Sequence, residues 1–149
     1  MAAPPSAIRL SDPPFCGDPI NMDLPAEIQQ YMVIVFDKNV SAAKVAAECG
    51  CPTPTAASLR LAFTDDLAGE ADFADRVGRM SLPTVDQRAA QARLVGALQT
   101  LVSRERTALA TGQYGSQPMT DAFGGESAAS GQFRAALGMP QSTCAFVRP

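Results

Sequence analysis

The chain has 149 residues, enough for one domain with a hydrophobic core, and its 12 basic and 15 acidic side chains give a net charge of −3. Hydrophobic residues make up 46% of the chain and charged residues 18%, which excludes a mainly disordered polypeptide. The sequence contains no histidine and therefore excludes Ser-His-Asp and Cys-His catalysis, histidine-ligated zinc or haem, and imidazole acid-base chemistry.

The first 22 residues contain five prolines among few charges, and we expect them to form an extended arm. Asp23 is a candidate helix cap with Pro25 in the first turn, and the first core helix is predicted to continue to Asn39. Its apolar run, residues 31–36, is also consistent with a buried strand, but the cap and the Ala-Glu-Ile-Gln-Gln lead-in favour a helix. The run is too short to span a membrane.

Two short helices, residues 41–49 and 53–63, are predicted on either side of a tight turn at Gly50. Another helix is predicted to follow, capped by Thr64, with Asp65 and Asp66 as acids of its first turn. The longest predicted helix starts at Thr84 and ends at a glycine stop, Gly112. Its apolar side chains form one stripe at helical spacing: Leu94, Val95, Leu98, Leu101, Val102, Ala108 and Leu109.

After Gly112 the chain is rich in Gly, Ser and Gln, and Gly124 and Gly125 are interpreted as flexible linkers. We expect residues 113–149 to form an extended tail with one short helix around QFRAALGM. The predicted fold is therefore mainly α. It consists of an extended Pro-rich arm (1–22), a small helical bundle (23–112) and a Gly/Ser-rich tail.

The four cysteines, Cys16, Cys49, Cys51 and Cys144, are expected to be free thiols, because the N-terminus has no recognisable secretion signal and a core of this size needs no disulfide. Their spacing departs from the pairs typical of structural zinc sites. The glycines match no phosphate-binding pattern, and the acids match no calcium loop. We predict no catalytic residue, metal or cofactor, and a location in the cytoplasm or in a virion.

Residues 41–63, SAAKVAAECGCPTPTAASLRLAF, resemble the helix-turn-helix of DNA-binding proteins, with Ala46 or Ala47 at the close helix crossing and Gly50 at the turn. The adjoining DKNVSAAKVAA is similar to the N-terminal segment of phage terminase small subunits, which form rings and recognise viral DNA. This resemblance implies that residues 83–111 build the ring. It also implies that the DNA is contacted by Thr55, Ser58 and Arg60.

The function that the sequence favours is that of a non-enzymatic structural or assembly protein of a larger complex. No catalytic constellation is evident, and both ends have extended composition. Acidic residues dominate positions 12–75, whereas positions 76–106 carry six arginines against two acids. A bacteriophage virion component, whether capsid-associated, connector or tail, fits this description. DNA binding of the terminase small-subunit kind is the alternative.

The expected partners are other protein subunits in a homo- or hetero-oligomer, with nucleic acid as a partner only in the alternative and no membrane insertion. Apolar side chains on the long helix form either the core or a subunit interface, and the phenylalanines of the two ends either enter pockets of neighbouring subunits or pack on their own chain. The predicted interface residues are Phe15, Leu94, Leu98, Leu101, Val102, Phe123, Phe133 and Phe146.

Overall fold

The computed structural model describes residues 24–139 of the chain. The predicted arm and the end of the predicted tail, residues 140–149, lie outside the described residues. Residues 24–139 form four helices and no strand: α1 (Ala26–Glu48), α2 (Ala56–Gly78), α3 (Val85–Thr111) and α4 (Gln117–Ala136). The prediction of a mainly α fold is confirmed, and residues 31–36, which were ambiguous between helix and strand, are helical.

Hydroxyl side chains cap three of the helices. Thr55 begins α2 in a capping box, in which the backbone N–H of Ser58 donates to Thr55 Oγ1 at 3.0 Å. Thr84 accepts a hydrogen bond from the backbone N–H of Gln87 at the start of α3, as predicted, and Ser116 caps α4. Each cap pairs an N–H group that the first helical turn leaves without a backbone acceptor.

The first two helices are longer than the sequence predicted. α1 continues through the expected break near Val40, because no glycine or proline lies between Pro25 and Gly50. The separate helix predicted to start at Thr64 is also wrong. The hydroxyl of Thr64 donates to the carbonyl of Arg60 one turn earlier, and α2 runs through this point without interruption. Asp65 and Asp66 therefore lie inside α2, not in a first turn.

The largest correction concerns α4, where an extended tail was expected. Its buried residues recur every three or four positions: Met119, Ala122, Glu126, Ala129 and Phe133. Gly124 and Gly125 are on the exposed side of this helix and are not linkers. Their low helix propensity is overcome because α4 packs along α3, and tertiary packing supplies most helical stability in proteins.

Consecutive helices run antiparallel. Lys44 of α1 pairs with Asp65 of α2 close to their connecting turn, and farther along both helices the rings of Tyr31 and Phe73 lie 6.3 Å apart. α2 packs on α3, and α3 packs on α4. The arrangement is an up-down-up-down four-helix bundle.

The seam between α1 and α4 is wider than the other three. No Cα atoms of these two helices come within 8 Å of each other. Long side chains close the gap instead: the rings of Tyr31 and Phe133 meet edge-on at 4.9 Å, and Lys38 reaches Glu126. The seam is thus closed by large aromatic and ionic groups.

The core consists of two apolar clusters stacked along the bundle axis. The first draws on all four helices and contains Tyr31, Phe73, Leu94, Leu98 and Phe133 among its most buried members. The second contains Leu101, Ala108, Met119 and Ala122, with Phe63 and Tyr114 packed against them. Among the described residues, α1 contributes no member to the second cluster.

Candidate functional site

Five ionisable side chains, three of them buried and two half-buried, lie near the junction of the two apolar clusters. We call this set the ionisable layer, and all four helices contribute to it. Its members are Lys38 (α1), Asp66 and Glu70 (α2), Glu105 (α3) and Glu126 (α4). On α4, Glu126 separates Ala122 of the second cluster from Ala129 of the first. Charged groups are rarely buried unless they are paired, so each member of the layer needs a physical account.

Lys38 is the cation of the layer. Its Nζ donates to Oε1 of Glu126 at 2.8 Å and lies 3.7 Å from Oε1 of Glu70. The same Nζ lies 4.6 Å from the centre of the Phe73 ring, within range of a cation-π interaction. Burial alone would lower the pKa of Lys38, but Glu70 and Glu126 raise it above its ordinary value. Lys38 therefore remains protonated at neutral pH.

Glu126 connects the lysine to a second polar group on α4. Its Oε1 accepts hydrogen bonds from Lys38 and from the hydroxyl of Ser130, the latter at 3.0 Å. Ser130 in turn lies beside the hydroxyl of Tyr31, and burial raises the pKa of Tyr31 to about 12. The widest seam of the bundle therefore contains a continuous polar path from Lys38 to Tyr31.

Glu105 is the most deeply buried acid, with 0% of its surface exposed. Neither of its carboxyl oxygens receives a hydrogen bond from a donor, and its nearest polar neighbours are the carboxyl groups of Asp66 and Glu70. Burial, together with the neighbouring carboxyl group of Asp66, raises the pKa of Glu105 to about 9. Glu105 is thus protonated at neutral pH.

Glu70 lies between the lysine and the protonated acid. Burial raises the pKa of Glu70 to about 7, against the opposing effect of Lys38. Its Oε1 faces Lys38, while its Oε2 is buried without a hydrogen-bond donor. Glu70 therefore changes charge within the physiological pH range, so the layer takes up or releases a proton there.

The chemistry that the pKa values of the layer indicate is proton storage. A surface depression of about 510 Å³ lies between α2 and α3, but it is lined by residues such as Asp75, Arg79 and Arg106, and no member of the layer lines it. Within residues 24–139, no three Asp, Glu or Cys side chains converge as a metal site. The layer is a cluster of ionisable groups that extends from the buried Glu105 to the half-buried Lys38.

The predicted interface residues fall into three groups. Leu94, Leu98 and Leu101 of the long helix are completely buried in the chain's own core, and Val102 is 6% exposed, which agrees with the core alternative. Phe133 is equally buried, against Tyr31. Phe123 is 39% exposed, and its subunit contact stays a prediction, whereas Phe15 and Phe146 lie outside the described residues.

The helix-turn-helix geometry expected over residues 41–63 is absent. In that motif two helices cross at about 90–120° and diverge after the turn, whereas α1 and α2 remain in contact from Lys44 and Asp65 to Tyr31 and Phe73. Thr55 and Ser58, two of the predicted DNA contacts, are occupied in the capping box. Arg60, the third, is exposed on α2.

The turn contains a further correction. Cys49 and Cys51, expected to be free thiols, are joined by a disulfide bond. The two thiols are separated by one residue, Gly50, whose φ of 73° folds the chain back on itself. Cys16 and Cys144 lie outside the described residues.

The sequence analysis missed the ionisable layer, although a signal for it exists. In α3 the buried positions 94, 98, 101, 105 and 108 follow helical spacing, and Glu105 occupies one of them. In α4 Glu126 is similarly in phase with Ala122 and Ala129. A charged residue in phase with the apolar stripe on several helices is the pattern that indicates a buried layer.

Comparison of the chain with protein-family models, with curated proteins and with solved structures gave no match. Among residues 24–139, no helix combines the length and the apolar character needed to cross a membrane.

Proposed function

We propose that this chain is a non-enzymatic assembly protein that binds further protein subunits, beginning with copies of itself. The observation that supports the proposal is a set of apolar side chains exposed on the outside of the α1–α2 hairpin. Val40, inside α1, is 58% exposed, and Leu61, in the second turn of α2, is 51% exposed. Contiguous exposed apolar surface on a small protein commonly marks a protein-protein contact.

We call the exposed apolar side chains of these two helices the outer hairpin face. On α1, Val40, Ala43 and Ala47 are exposed and follow the 3-4 spacing of one helical face, and on α2 the exposed Leu61 and Ala68 are seven residues, or two helical turns, apart. The ion pair of Lys44 with Asp65 joins the two stripes, at 3.4 Å. The face is therefore apolar around a central charge pair.

Small side chains dominate this face, which suits it to a partner helix. Alanines let a second helix approach the backbone closely, and Val40 and Leu61 provide larger groups to bury. The second half of α1 is available for such contact because it contributes no member to the second apolar cluster. A partner would cover a part of the hairpin that the chain's own core leaves open.

The predicted assembly is a complex such as a bacteriophage virion, in which the chain would be a capsid-associated, connector or tail component. Phe123 on α4, which is 39% exposed, provides a second contact in this proposal. Quantitative mass spectrometry of particles purified from the source would find the chain at a fixed copy number per particle. Its absence from all particles would contradict the virion assignment without affecting self-association.

The test of self-association is the solution mass by light scattering at two salt concentrations. We expect a closed oligomer that Val40→Asp and Leu61→Asp convert to monomers. Val85→Asp is the matched control, because Val85 is 71% exposed at the start of α3, at the opposite end of the bundle. A wild-type monomer, or equal loss of mass in the control, would contradict the proposal.

A further inference from the structure

The disulfide between Cys49 and Cys51 contributes little to holding its turn together. The loop that it closes contains one intervening residue, and the stabilisation from a cross-link increases with the length of the closed loop. Other bonds already fix the turn: the hydroxyl of Ser58 donates to the carbonyl of Cys49 at 2.7 Å, and the N–H of Thr53 donates to the carbonyl of Gly50. A structural staple is therefore a poor explanation for this bond.

The position of the bond favours a chemical role. The turn lies at one end of the bundle, where Cys51 is exposed and Cys49 is half-buried. Gly50 is specifically required between them, because its φ is positive and a Cβ at this position would come within 3.0 Å of Ser58 Oγ. An external thiol can therefore approach the side of Cys51, whereas Cys49 is the more protected sulfur.

A hydrogen bond is already in place for the sulfur that would leave. The backbone N–H of Cys51 donates to Sγ of Cys49 at 3.1 Å. A thiolate on Cys49 would accept the same hydrogen bond more strongly, since hydrogen bonds to ionised groups are the stronger ones. The turn therefore stabilises one defined leaving group.

We propose that Cys49 and Cys51 form a thiol-disulfide exchange site whose substrate is an external dithiol, either a small molecule or a pair of cysteines on another protein. One thiolate of the dithiol attacks Sγ of Cys51, the bond between Cys49 and Cys51 breaks, and Cys49 leaves as a thiolate. The second thiolate then attacks the substrate sulfur of this mixed disulfide and releases Cys51. The substrate is oxidised by two electrons to a disulfide, and its two protons pass to Cys49 and Cys51.

The experiment measures reduction of the folded protein by dithiothreitol in a Cys16→Ser/Cys144→Ser background, so that the pair is read out alone. Samples are quenched with acid and alkylated, and the free thiols are counted by mass. We expect reduction at a rate within about tenfold of that for oxidised glutathione, with helix content at 222 nm unchanged. Oxidised dithiothreitol or glutathione should restore the bond in the reduced protein.

Single variants test the order of the steps. With Cys49→Ser, the exposed Cys51 should form a mixed disulfide with oxidised glutathione about tenfold faster than Cys49 does in the Cys51→Ser variant. Reduction more than about 100-fold slower in native buffer than in urea would overturn the proposal, since the bond would then be a protected structural link. Failure of a disulfide oxidant to re-form the bond in the reduced, folded protein would also overturn it.

Discussion

Replacement of Glu105 by glutamine should make the stability of the protein less dependent on pH. The amide of glutamine has nearly the shape of the protonated carboxyl and, like it, can donate a hydrogen bond, but it cannot ionise. In the wild type, Glu105 keeps its proton in the folded state, whereas the unfolded chain releases it at an ordinary carboxyl pKa. The variant removes this difference in proton binding between the two states.

The sign and the size follow from proton linkage. The pKa of Glu105 is raised to about 9 in the folded state, so above an unfolded pKa of 4.5 the folded state binds more protons and wild-type stability falls as pH rises. Each unit of pH increase in this window lowers the free energy of unfolding by about 1.4 kcal/mol. Between pH 5 and pH 8 the wild type should lose about 3 to 4 kcal/mol through Glu105, and Glu105→Gln should not.

The assay is urea unfolding followed by circular dichroism at 222 nm, at pH 5, 6, 7 and 8 and at one protein concentration. The stability difference between variant and wild type should increase steadily toward pH 8. The control is Asp72→Asn, which removes an acid of α2 whose side chain is 64% exposed, and its profile should remain parallel to the wild type. Profiles of Glu105→Gln and wild type that stay parallel within about 0.5 kcal/mol would refute a protonated Glu105.

Three further predictions concern the core and the helices. Lys38→Met should lower the free energy of unfolding by about 3 kcal/mol at pH 8, because it leaves Glu70 and Glu126 buried without their cation. The loss should be smaller at pH 5, where Glu70 is protonated, and equal losses at both pH values would contradict this prediction. Leu98→Ala should lower the free energy of unfolding in urea by about 3 kcal/mol at any protein concentration, since Leu98 lies wholly inside one chain. A loss that depends on protein concentration would instead indicate that Leu98 contacts a second subunit. Gly124→Ala should raise the free energy of unfolding by about 1 kcal/mol, because a Cβ at this position meets nothing within 4 Å. Gly69→Ala should raise it less, because its Cβ would press on the side chain of Ser41. Thermal melts compare the two variants, and equal gains would contradict the contact between α1 and α2 at Gly69.

The helical class and the longest helix were predictable because apolar side chains mark them. Leu94, Leu98 and Leu101 give α3 an unambiguous stripe, and Thr84 and Gly112 fix its ends through a cap and a left-handed residue. Short-range signals of this kind are sufficient when large hydrophobic groups carry the pattern. The same information could not distinguish the core of one chain from an interface between chains.

α4 was missed because its core face is built from small and polar residues. Ala122, Glu126 and Ala129 occupy positions that leucines occupy in α3, and Gly124 and Gly125 lower the local helix propensity. Their burial depends on α3, which is distant in the sequence. A helix of this type is specified by its tertiary partner, and a single-sequence pattern underestimates it.

The ionisable layer was hidden for a related reason. The sequence offered no reason to place Lys38, Glu70 and Glu126 in the interior, since most charged side chains are solvated. Only the assembled bundle shows that one cation and several acids from different helices face one another. The disulfide between Cys49 and Cys51 was likewise missed because compartment and spacing, the arguments used, say nothing about the turn that brings the two sulfurs together.

The layer also determines which alignment of the four helices is acceptable. If α4 moved along its axis by one helical turn, Glu126 would lose Lys38 and would meet the apolar level that Ala122 or Ala129 now occupies. Alanine-rich helix faces tolerate such sliding, because their side chains are small and similar in shape. We expect the buried charges to specify one helix register. A bundle with leucines in place of Lys38, Glu70, Glu105 and Glu126 would be harder to unfold and yet would populate several registers.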